Sequence, residues 1–381
     1  MRVLHVIDRF SRAGAETSLR ELIAASGESI DHAICVLYPD GNEFPDSVHG
    51  GPTNFVPGRR PRTRLSSIRH VRSAIDEFEP DLVHTTLFDA NTAGRVAARL
   101  QGVPVLTSLV NTPYVSEAMH DRDIRPWKHA LVRRTDIVLS RHFTSSFHAI
   151  TRAVADAYVT DFRLSPDRIA VVPRGRSRHR LGHPSAERRH RSRSKLGIDS
   201  EQRLILTLGR QEAQKGHRYL LEAAAAVLAE HPKSHIMVAG RAGAMTPTLL
   251  RHRSETGLEE AVDFLGFRRD IGDLLAAADV FVFPSLYEGL GGAVLEAMAM
   301  NVPIVASDIP ALREVLEEGV AGVLVPPGQP AALAAALVDV LSDPETALEM
   351  AERARQRFEN NYSAEASVEG MLALYEQLLR T

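Results

Sequence analysis

Short apolar runs alternate with helix-length segments along this 381-residue chain, and this alternation restricts the fold more than any other feature. Strands that alternate with helices form parallel sheets whose two faces are both covered by helices. The pattern therefore predicts an α/β protein. In the second half we predict strands at 204–208, 235–239, 262–265, 280–283, 304–306 and 322–325, and helices near 216–229, 245–256, 270–277, 292–300, 311–317 and 330–342.

The first half shows the same alternation less cleanly. A segment rich in Gly, Pro and Arg, residues 40–64, is predicted to be a long loop. Because each half contains its own set of strands and helices, the chain is predicted to contain two Rossmann-like, doubly wound domains. In the first half we predict strands at 3–7, 33–37, 81–84, 103–109, 137–139 and 169–172, and helices at 17–25, 65–78, 92–100, 124–134 and 147–158.

Charge supports this division. Residues 1–200 contain 30 Lys/Arg and 22 Asp/Glu, whereas residues 201–381 contain 15 and 26. Between the halves, residues 174–198 are strongly basic and are predicted to be a junction and an exposed loop. The predicted parts are a first domain at 1–173, this loop, a second domain at 199–360, and a C-terminal helix at 361–381 that packs back on the first domain.

Composition excludes several classes of protein. A net charge of −3 gives no indication of nucleic-acid binding, and the single cysteine, Cys35, excludes an intramolecular disulfide. No apolar stretch approaches the roughly 20 residues that span a bilayer. The N-terminus is predicted to be a first strand rather than a signal peptide. We therefore expect a cytoplasmic protein with a buried, unreactive thiol.

The stretch from Asp279 to Gly292 combines a strand, a glycine-dense loop and the start of a helix. Free N–H groups in the first turn of a helix, together with the helix dipole, favour an anion there. Two carboxylates, Glu288 and Glu296, flank this anion-binding loop, and carboxylates accept hydrogen bonds from hydroxyls. A phosphate site with two hydroxyl acceptors predicts a sugar nucleotide as the ligand.

Two cations follow a neighbouring strand. Arg210 and Lys215, flanked by Gly209 and Gly216, come at or just after its carboxyl end, where parallel sheets bind ligands. An arginine fork and a lysine point charge suit a diphosphate. The alternative is a pair of solvated surface cations. Phe267, after another strand, is predicted to meet a base, with a plain turn as the alternative.

The first domain offers fewer signals. Gly14 opens the first helix and could admit a phosphate or a sugar, although a tight turn alone would also explain it. No G-x-G-x-x-G pattern follows the first strand, which argues against a dinucleotide. Candidate residues on the acceptor side are His84, Asn111 and Arg174, with a structural role as the alternative for His84.

These motifs resemble those of retaining glycosyltransferases with the GT-B fold, of the family 4 type (glycosyl transferases group 1). The resemblance covers nearly the whole chain and is densest over 203–330. It implies two Rossmann-like domains that face each other across a cleft. The matching residues are Gly209-Arg210, Lys215-Gly216, Pro284-Ser285, Glu288 to Gly291, Leu295 to Ala299, Pro303 to Ala306, Gly319 to Pro326 and, in the first domain, Gly14 to Glu16.

The resemblance also implies roles. Arg210 and Lys215 would hold the donor diphosphate, Glu288 would contact the donor sugar, and Glu296 would hold the ribose hydroxyls. Gly14 would come near the β-phosphate, and backbone N–H groups of Gly289, Leu290, Gly291 and Gly292 would lie near the sugar and phosphate. Transfer would be front-face and retaining, without a protein nucleophile, and with neither a metal nor another cofactor. Catalysis would then consist of positioning and charge stabilisation.

The chain departs from the family pattern in three places. A histidine usual near Leu109 or Val110 is absent, so Asn111 or a backbone carbonyl would replace it. Arg174 stands where the inter-domain turn usually has Asn, and Leu290 where the loop usually has Phe. The missing histidine keeps open a catalytically impaired binding or partner subunit, and a sugar-nucleotide epimerase on the same fold is the other alternative.

Partners are predicted in the same terms. The donor is a nucleotide-diphosphate sugar, and the acceptor is a glycan, a lipid-linked molecule or a small molecule.

The pair Asp121 and Asp123 formally matches a metal motif of another glycosyltransferase fold, but acids are expected at a helix start. Basic residues at 174–195, and Arg59, Arg60, Arg62, Arg64, Arg69 and Arg72, suggest peripheral contact with an anionic membrane, with a solvated loop as the alternative.

Overall fold

The computed structural model describes residues 1–10, 14–38, 53–57, 63–112 and 126–380. These residues divide into two compact units. The first contains the chain up to Gly175 together with the C-terminal segment from Ala364, and the second contains Arg176–Ser363.

The first unit is built around a seven-stranded parallel sheet in the order β3-β2-β1-β4-β5-β6-β7. Its interior strands are buried along almost their whole length because helices cover both faces. Cys35, on β2, is fully buried, and burial raises the pKa of its thiol to about 12. The strands are β1 (Arg2–Ile7), β2 (Asp31–Val36), β3 (Thr53–Pro57), β4 (Leu82–Thr86), β5 (Val105–Leu109), β6 (Ser146–Ala149) and β7 (Ile169–Val171).

Six α-helices of the described residues belong to this unit, and the last of them comes from the C-terminus. Met371 and Tyr375 of that helix lie in one core cluster with Val3 of β1 and Leu106 of β5. The helices span Gly14–Ser26, Arg64–Phe78, Phe88–Gln101, Pro126–Phe143, Arg152–Phe162 and Ala364–Arg380, with 3₁₀ turns at Gly27–Ser29 and Pro166–Arg168.

The second unit has a six-stranded parallel sheet in the order β10-β9-β8-β11-β12-β13. All six strands agree with the sequence prediction to within one residue at each end. They are β8 (Arg203–Leu208), β9 (Ser234–Ala239), β10 (Val262–Gly266), β11 (Val280–Phe283), β12 (Ile304–Ser307) and β13 (Val323–Val325). The helices are Arg178–Leu181, Ala186–Leu196, His217–Glu230, Thr246–Glu255, Ile271–Ala277, Gly292–Ala299, Pro310–Val315, Pro330–Ser342 and Pro344–Asn361, with 3₁₀ turns at Ala213–Lys215 and Glu317–Gly319.

The strand predicted at 137–139 is wrong. These residues lie inside the helix Pro126–Phe143. Asp136 and Ser140, four residues apart, are buried, whereas Val138 between them is 47% exposed. This is the spacing of one helix face. The apolar run was therefore misleading, because polar residues face the core here.

Two further boundaries in the first unit differ from the prediction. The helix predicted at 147–158 is a strand, β6, followed by the helix Arg152–Phe162, whose N-cap Thr151 accepts a hydrogen bond from the Val154 N–H. The loop predicted at 40–64 contains the strand β3. Residues 40–52 and 58–62 lie outside the described residues.

The basic segment 174–198 is not the predicted exposed loop, because it contains two helices. In the second of them, Ala186–Leu196, two arginines bind the same carboxylate. Arg189 Nη2 lies 2.8 Å and Arg193 Nη1 3.0 Å from the oxygens of Asp279, which immediately precedes β11. The segment is therefore an integral part of the second unit.

No helix of the described residues is long and apolar enough to cross a membrane.

Buried polar side chains cross the first sheet in a directed hydrogen-bond chain. His148 Nε2 must donate to the Val172 carbonyl at 2.7 Å, so its Nδ1 accepts from the Ser108 hydroxyl at 2.9 Å. Ser108 Oγ therefore accepts from His84 Nε2, and His84 Nδ1 accepts from the Tyr375 hydroxyl, each at 2.7 Å. Both histidines are neutral with fixed tautomers, and the chain ties the C-terminal helix to the sheet.

We expect Tyr375→Phe to lower the free energy of unfolding by about 1–3 kcal/mol, because the buried His84 Nδ1 would lose its donor. Urea denaturation measures this. The control is Tyr38→Phe, whose half-buried hydroxyl donates to Asp89 at 3.0 Å where water can substitute. Equal losses in the two variants would contradict the importance of the chain.

Acidification should destabilise the folded state. Burial is the largest cause that lowers the pKa of five buried histidines, and of the half-buried His70, below the usual 6.5, to about 4 for three of the buried ones. The folded state therefore binds fewer protons than the unfolded state once the pH falls below 6.5, and stability is lost progressively as the pH falls towards about 4. The buried residues are His5, His32, His84, His148 and His217.

Denaturant titrations at pH 7 and pH 5 test this expectation. One group, Asp8, acts in the opposite direction, because its raised pKa favours the folded state as the pH falls. Five histidines outweigh one carboxyl group. Unchanged or higher stability at pH 5 would contradict the neutral state of the buried rings.

Candidate functional site

Two loops of the second unit are joined at the carboxyl edge of its sheet. One follows β8 and the other follows β11, which are neighbouring parallel strands. Leu286 N donates to the Gln214 carbonyl, and Gln214 Nε2 donates to the Tyr287 carbonyl, each at 2.8 Å. A Cβ on Gly216, which has φ +64°, would lie 1.9 Å from the Pro284 carbonyl oxygen. Only glycine permits this approach.

This junction brings Lys215 and Glu288 together as an ion pair. Their side chains are 18% and 10% exposed, so the pair is largely shielded from water. The ammonium also lies 5.3 Å from the centre of the Phe283 ring, on the last residue of β11. The residues predicted for the diphosphate and for the sugar are thus direct neighbours, and a bound diphosphate would compete for the ammonium.

Close packing continues at Gly209. A Cβ there would lie 3.3 Å from Lys215 Cγ and 3.6 Å from His217 Nε2. Burial, followed by the charge of Lys215, lowers the pKa of His217 to about 4, so the ring is neutral. Arg210, next to Gly209, is exposed and forms no ion pair with any described residue.

Sequence reasoning missed three polar groups near this edge. His217 Nδ1, Ser285 Oγ and Gln211 Oε1 are buried and have no hydrogen-bond partner among the described residues. Buried polar atoms are nearly always paired, so a group of unpaired ones indicates a ligand or water site. Their position next to the two predicted loops was the only signal that could have found them.

The helix Gly292–Ala299 begins where the second loop ends. Its N-cap, Gly291, has φ +85°, and a Cβ there would lie 2.7 Å from Leu312 Cδ2. Leu290 is buried and occupies the position where the resemblance expects a phenylalanine. The first turn of this helix is therefore placed at the same edge as Lys215, as the sequence predicts.

Glu296, on the second turn of that helix, is already engaged. Arg180 Nη2 lies 2.5 Å and Arg176 Nε 3.8 Å from its Oε1. The carboxylate is 15% exposed. Neither arginine was predicted to contact Glu296, because both lie in the segment that the sequence presented as a loop.

Phe267 follows β10 at the same edge of the sheet. It is 46% exposed, and the guanidinium of Arg241 lies 4.9 Å from the centre of its ring. An exposed aromatic face of this kind can stack on a base, as the sequence predicts, and its neighbour Arg241 adds a cation.

The predicted acceptor-side residues lie in the first unit. Asn111 follows β5, and its Oδ1 accepts a hydrogen bond from the Thr112 N–H at 2.9 Å. Gly14 begins the first helix, and a Cβ there would meet open space. Burial is the largest cause that lowers the pKa of His84 and of His148, and the charge of Arg174 contributes to both shifts.

His84 has a structural position. It is 4% exposed, and both ring nitrogens form hydrogen bonds inside the unit. The structural alternative for His84 therefore fits better than a direct contact with an acceptor. Asp121 and Asp123 lie outside the described residues. Within the described ranges, no three His, Cys, Asp or Glu side chains are grouped as metal ligands.

One acidic residue of the first unit was not predicted. Asp8 follows β1 at the carboxyl edge of the first sheet and accepts a hydrogen bond from the Ala90 N–H at 2.6 Å. Burial is the largest cause that raises its pKa from 3.8 to about 7, and the charges of Asp89 and Glu16 add to it. A carboxyl group that titrates near neutrality at a ligand-binding edge is a functional candidate.

A cavity of about 470 Å³ lies at the opposite edge of the second sheet, near Arg203 and Asp279, which begin or precede their strands. Its lining contains none of the predicted site residues. Ligands of parallel sheets bind at the carboxyl ends of strands. We therefore place the site at the loops that follow β8 and β11.

Comparison with known proteins shows the family of the chain. Residues 188–357 match the family model described as glycosyl transferases group 1, and residues 13–175 match the glycosyl transferase 4-like domain. The chain is 29% identical over 293 residues to alpha-D-kanosaminyltransferase of Streptomyces kanamyceticus, covering 74% of this chain and 72% of the relative. It is 30% identical over 320 residues to a D-inositol 3-phosphate glycosyltransferase of Corynebacterium urealyticum, covering 78% and 72%.

Solved structures share the fold. Anabaena HepE in complex with UDP and glucose superposes with a TM-score of 0.84 at 22% identity, covering 99% of this chain and all of that chain. Sucrose-phosphate synthase from Thermosynechococcus elongatus gives 0.81 at 21% identity over the full length of both chains. Two Rossmann-like units with a shared glycosyltransferase fold, and the matches to both domain models, lead to one conclusion: the chain belongs to the GT-B glycosyltransferases of the family 4 type, glycosyl transferases group 1, and is a glycosyltransferase.

Proposed function

We propose that the protein transfers a hexose from a nucleotide-diphosphate sugar to a hydroxyl acceptor with retention of configuration. The observation that carries this proposal is the joined pair of loops at the carboxyl edge of the second sheet. There Lys215 and Glu288 meet beside the start of the helix Gly292–Ala299, with Arg210 exposed nearby. A cation paired with a carboxylate, on the loop that leads into a helix N-terminus, suits a phosphate bonded to a sugar.

The donor diphosphate would replace part of the ion pair that Glu288 forms with Lys215. A phosphate oxygen beside Lys215 would share its ammonium, and Arg210 adds a second cation that no described carboxylate neutralises. As the sugar–phosphate bond breaks, negative charge grows on the departing diphosphate. Fixed cations placed where charge develops lower the barrier.

Two features support a front-face mechanism. Glu288 is held by Lys215, which makes its carboxylate a poor nucleophile, and His217 is neutral and buried. We propose that the acceptor oxygen bonds to the anomeric carbon on the face from which the diphosphate leaves. The acceptor proton then passes to the departing phosphate oxygen, so atoms and charge balance without a covalent enzyme intermediate.

We further propose that uridine is the base and that no metal is needed. Relatives support the first point: the HepE structures contain UDP or UDP-glucose, and a relative from Escherichia coli, 26% identical, is named a UDP-Gal-dependent galactosyltransferase. The second rests on Arg210 and Lys215, which can supply the positive charge that a metal ion supplies elsewhere. Transfer that survives EDTA would agree with it, and loss that Mg²⁺ restores would refute it.

In this proposal the first unit selects the acceptor, and Asp8 is the group best suited to bind the acceptor hydroxyl.

Membrane contact stays a prediction. Arg189 and Arg193 bind Asp279, and Arg180 binds Glu296, so the basic segment offers less free charge than its sequence indicates. Cytoplasmic location also stays a prediction. Arg59, Arg60 and Arg62 lie outside the described residues.

A panel of UDP-, GDP- and ADP-sugars, followed by thermal shift and by nucleotide release, tests the proposal. We expect UDP-sugars to raise the melting temperature and to release nucleotide only when an acceptor is present, and a response to GDP- or ADP-sugars alone would refute uridine as the base. Turnover without an acceptor and with sugar inversion at C2 would indicate an epimerase. Binding without turnover for every acceptor tried would indicate a partner subunit.

Lys215→Met should weaken binding of the preferred nucleoside diphosphate roughly tenfold to a hundredfold, because one charge-assisted hydrogen bond to phosphate is worth about 1.5–3 kcal/mol. Isothermal titration calorimetry measures it. The control is Lys233→Met, a lysine of the same unit that is 68% exposed and 3.8 Å from Glu201. Equal affinities in the two variants would contradict the site.

Asp8→Asn should raise the Michaelis constant for the acceptor without changing nucleotide affinity. It should also stabilise the protein above pH 7: the raised pKa means that wild-type stability falls as the pH rises from about 4 through about 7, when the buried carboxyl group loses its proton. Denaturant titrations at pH 5 and pH 8 measure the difference. A variant no more stable than wild type at pH 8 would argue against the raised pKa.

A further inference from the structure

The segment that begins the second unit places an arginine beside the helix that carries Glu296. The Arg176 N–H donates to the Tyr362 carbonyl at 2.9 Å, and Arg176 forms a β-bridge with Ser363. Its side chain is only 6% exposed. The backbone is therefore fixed, and the guanidinium is held inside the unit.

Gly292 makes room for that guanidinium. A Cβ on this residue would lie 2.2 Å from Arg176 Nη2 and 3.2 Å from its Cζ. The φ of Gly292 is not in the left-handed region, so other residues could adopt its backbone conformation. Its lack of a side chain matters because the arginine packs directly on the Cα of the first residue of the helix.

A cation in this place needs compensation. The N-terminus of a helix carries partial positive charge, which disfavours a buried arginine there. Glu296 lies four residues after Gly292, on the same helix face. Its Oε1 is 3.8 Å from Arg176 Nε and 2.5 Å from Arg180 Nη2, so the carboxylate compensates part of this positive charge.

We propose that Arg176 is a positioning residue, which fixes the Glu296 carboxylate in the orientation that accepts hydrogen bonds from the ribose hydroxyls of the donor. This inference rests on the proposed function. A free glutamate must lose rotamer freedom when it binds a ligand. A glutamate already held by a buried arginine loses less, and this preorganisation appears as selectivity for ribose.

The test compares a nucleoside diphosphate with its 2′-deoxy counterpart, using whichever of UDP, GDP and ADP stabilises the protein most. Calorimetry gives the ratio of the two dissociation constants for each variant. We expect wild type to prefer the ribonucleotide roughly tenfold or more. Glu296→Gln and Arg176→Met should each reduce this preference several-fold, and the double variant should reduce it no further, because both act through one contact.

Two more variants separate positioning from general damage. Gly292→Ala keeps both charged residues but displaces the guanidinium, so it should reduce the ribose preference even if Arg176→Met does not fold. If a variant also disturbed phosphate binding, its affinity for the ribonucleotide and for the 2′-deoxy nucleotide would fall equally, and the ratio of the two dissociation constants would not change. Arg191→Met, in an exposed pair with Glu187, should keep the wild-type ratio.

The outcomes distinguish two failures. If Glu296→Gln loses the preference while Arg176→Met and Gly292→Ala retain it, the positioning role is wrong and the proposed site stands. If wild type has no ribose preference, or Glu296→Gln retains it, the ribose role that the family resemblance implies for Glu296 is wrong, and the positioning role falls with it.

Discussion

The candidate site depends on two places where backbones approach more closely than any side chain would allow. At Gly216 a Cβ would lie 1.9 Å from the Pro284 carbonyl oxygen, and at Gly240 it would lie 1.8 Å from the Gly209 carbonyl oxygen. These contacts draw together the loops that follow β8, β9 and β11. Without these contacts Lys215 and Glu288 would not meet. The parallel strands β8 and β11 fix only where the two loops begin, and the close backbone contacts bring the loops together.

The net charge of the second unit does not predict the charge at its candidate site. Residues 201–381 carry an excess of acid, yet the edge with Arg210 and Lys215 presents cations. At the opposite edge of the sheet, the Asp279 carboxylate forms ion pairs with Arg189 and Arg193 and accepts a hydrogen bond from the Leu204 N–H at 2.7 Å. The basic segment is thus used to satisfy buried carboxylates, which a count of charges could not reveal.

The first unit uses polar residues in a different way. His84 and His148 lie on buried strands, where apolar residues are usual. A chain of hydrogen bonds offsets the cost of burying them, because both nitrogens of each ring have a partner. Both are neutral because burial disfavours their charged forms. The histidine missing near Leu109 is therefore not replaced by His84, whose nitrogens are engaged in the core.

Sequence alone determined the strands of the second sheet and the glycine-rich start of the helix at Gly292. The anion site at that helix start and its two hydroxyl acceptors stay predictions from the same residues. Periodicity and glycine spacing are local properties, so they can be read without a structure. The helix at 126–143 escaped this reading because its buried face carries Asp136 and Ser140. There the local pattern of apolar residues pointed the wrong way.

Tertiary structure decided what each charge does. Arg176 and Arg180 reach Glu296 across more than a hundred residues of sequence, and the pKa of Asp8 is raised mainly because packing buries its carboxyl group. Such pairings depend on distances between elements that no local pattern encodes. The sequence determined which chemical groups are available at the edge of the second sheet, and the fold decided which are neutralised and which remain for a ligand, because electrostatic interactions depend on separation and burial rather than on order along the chain.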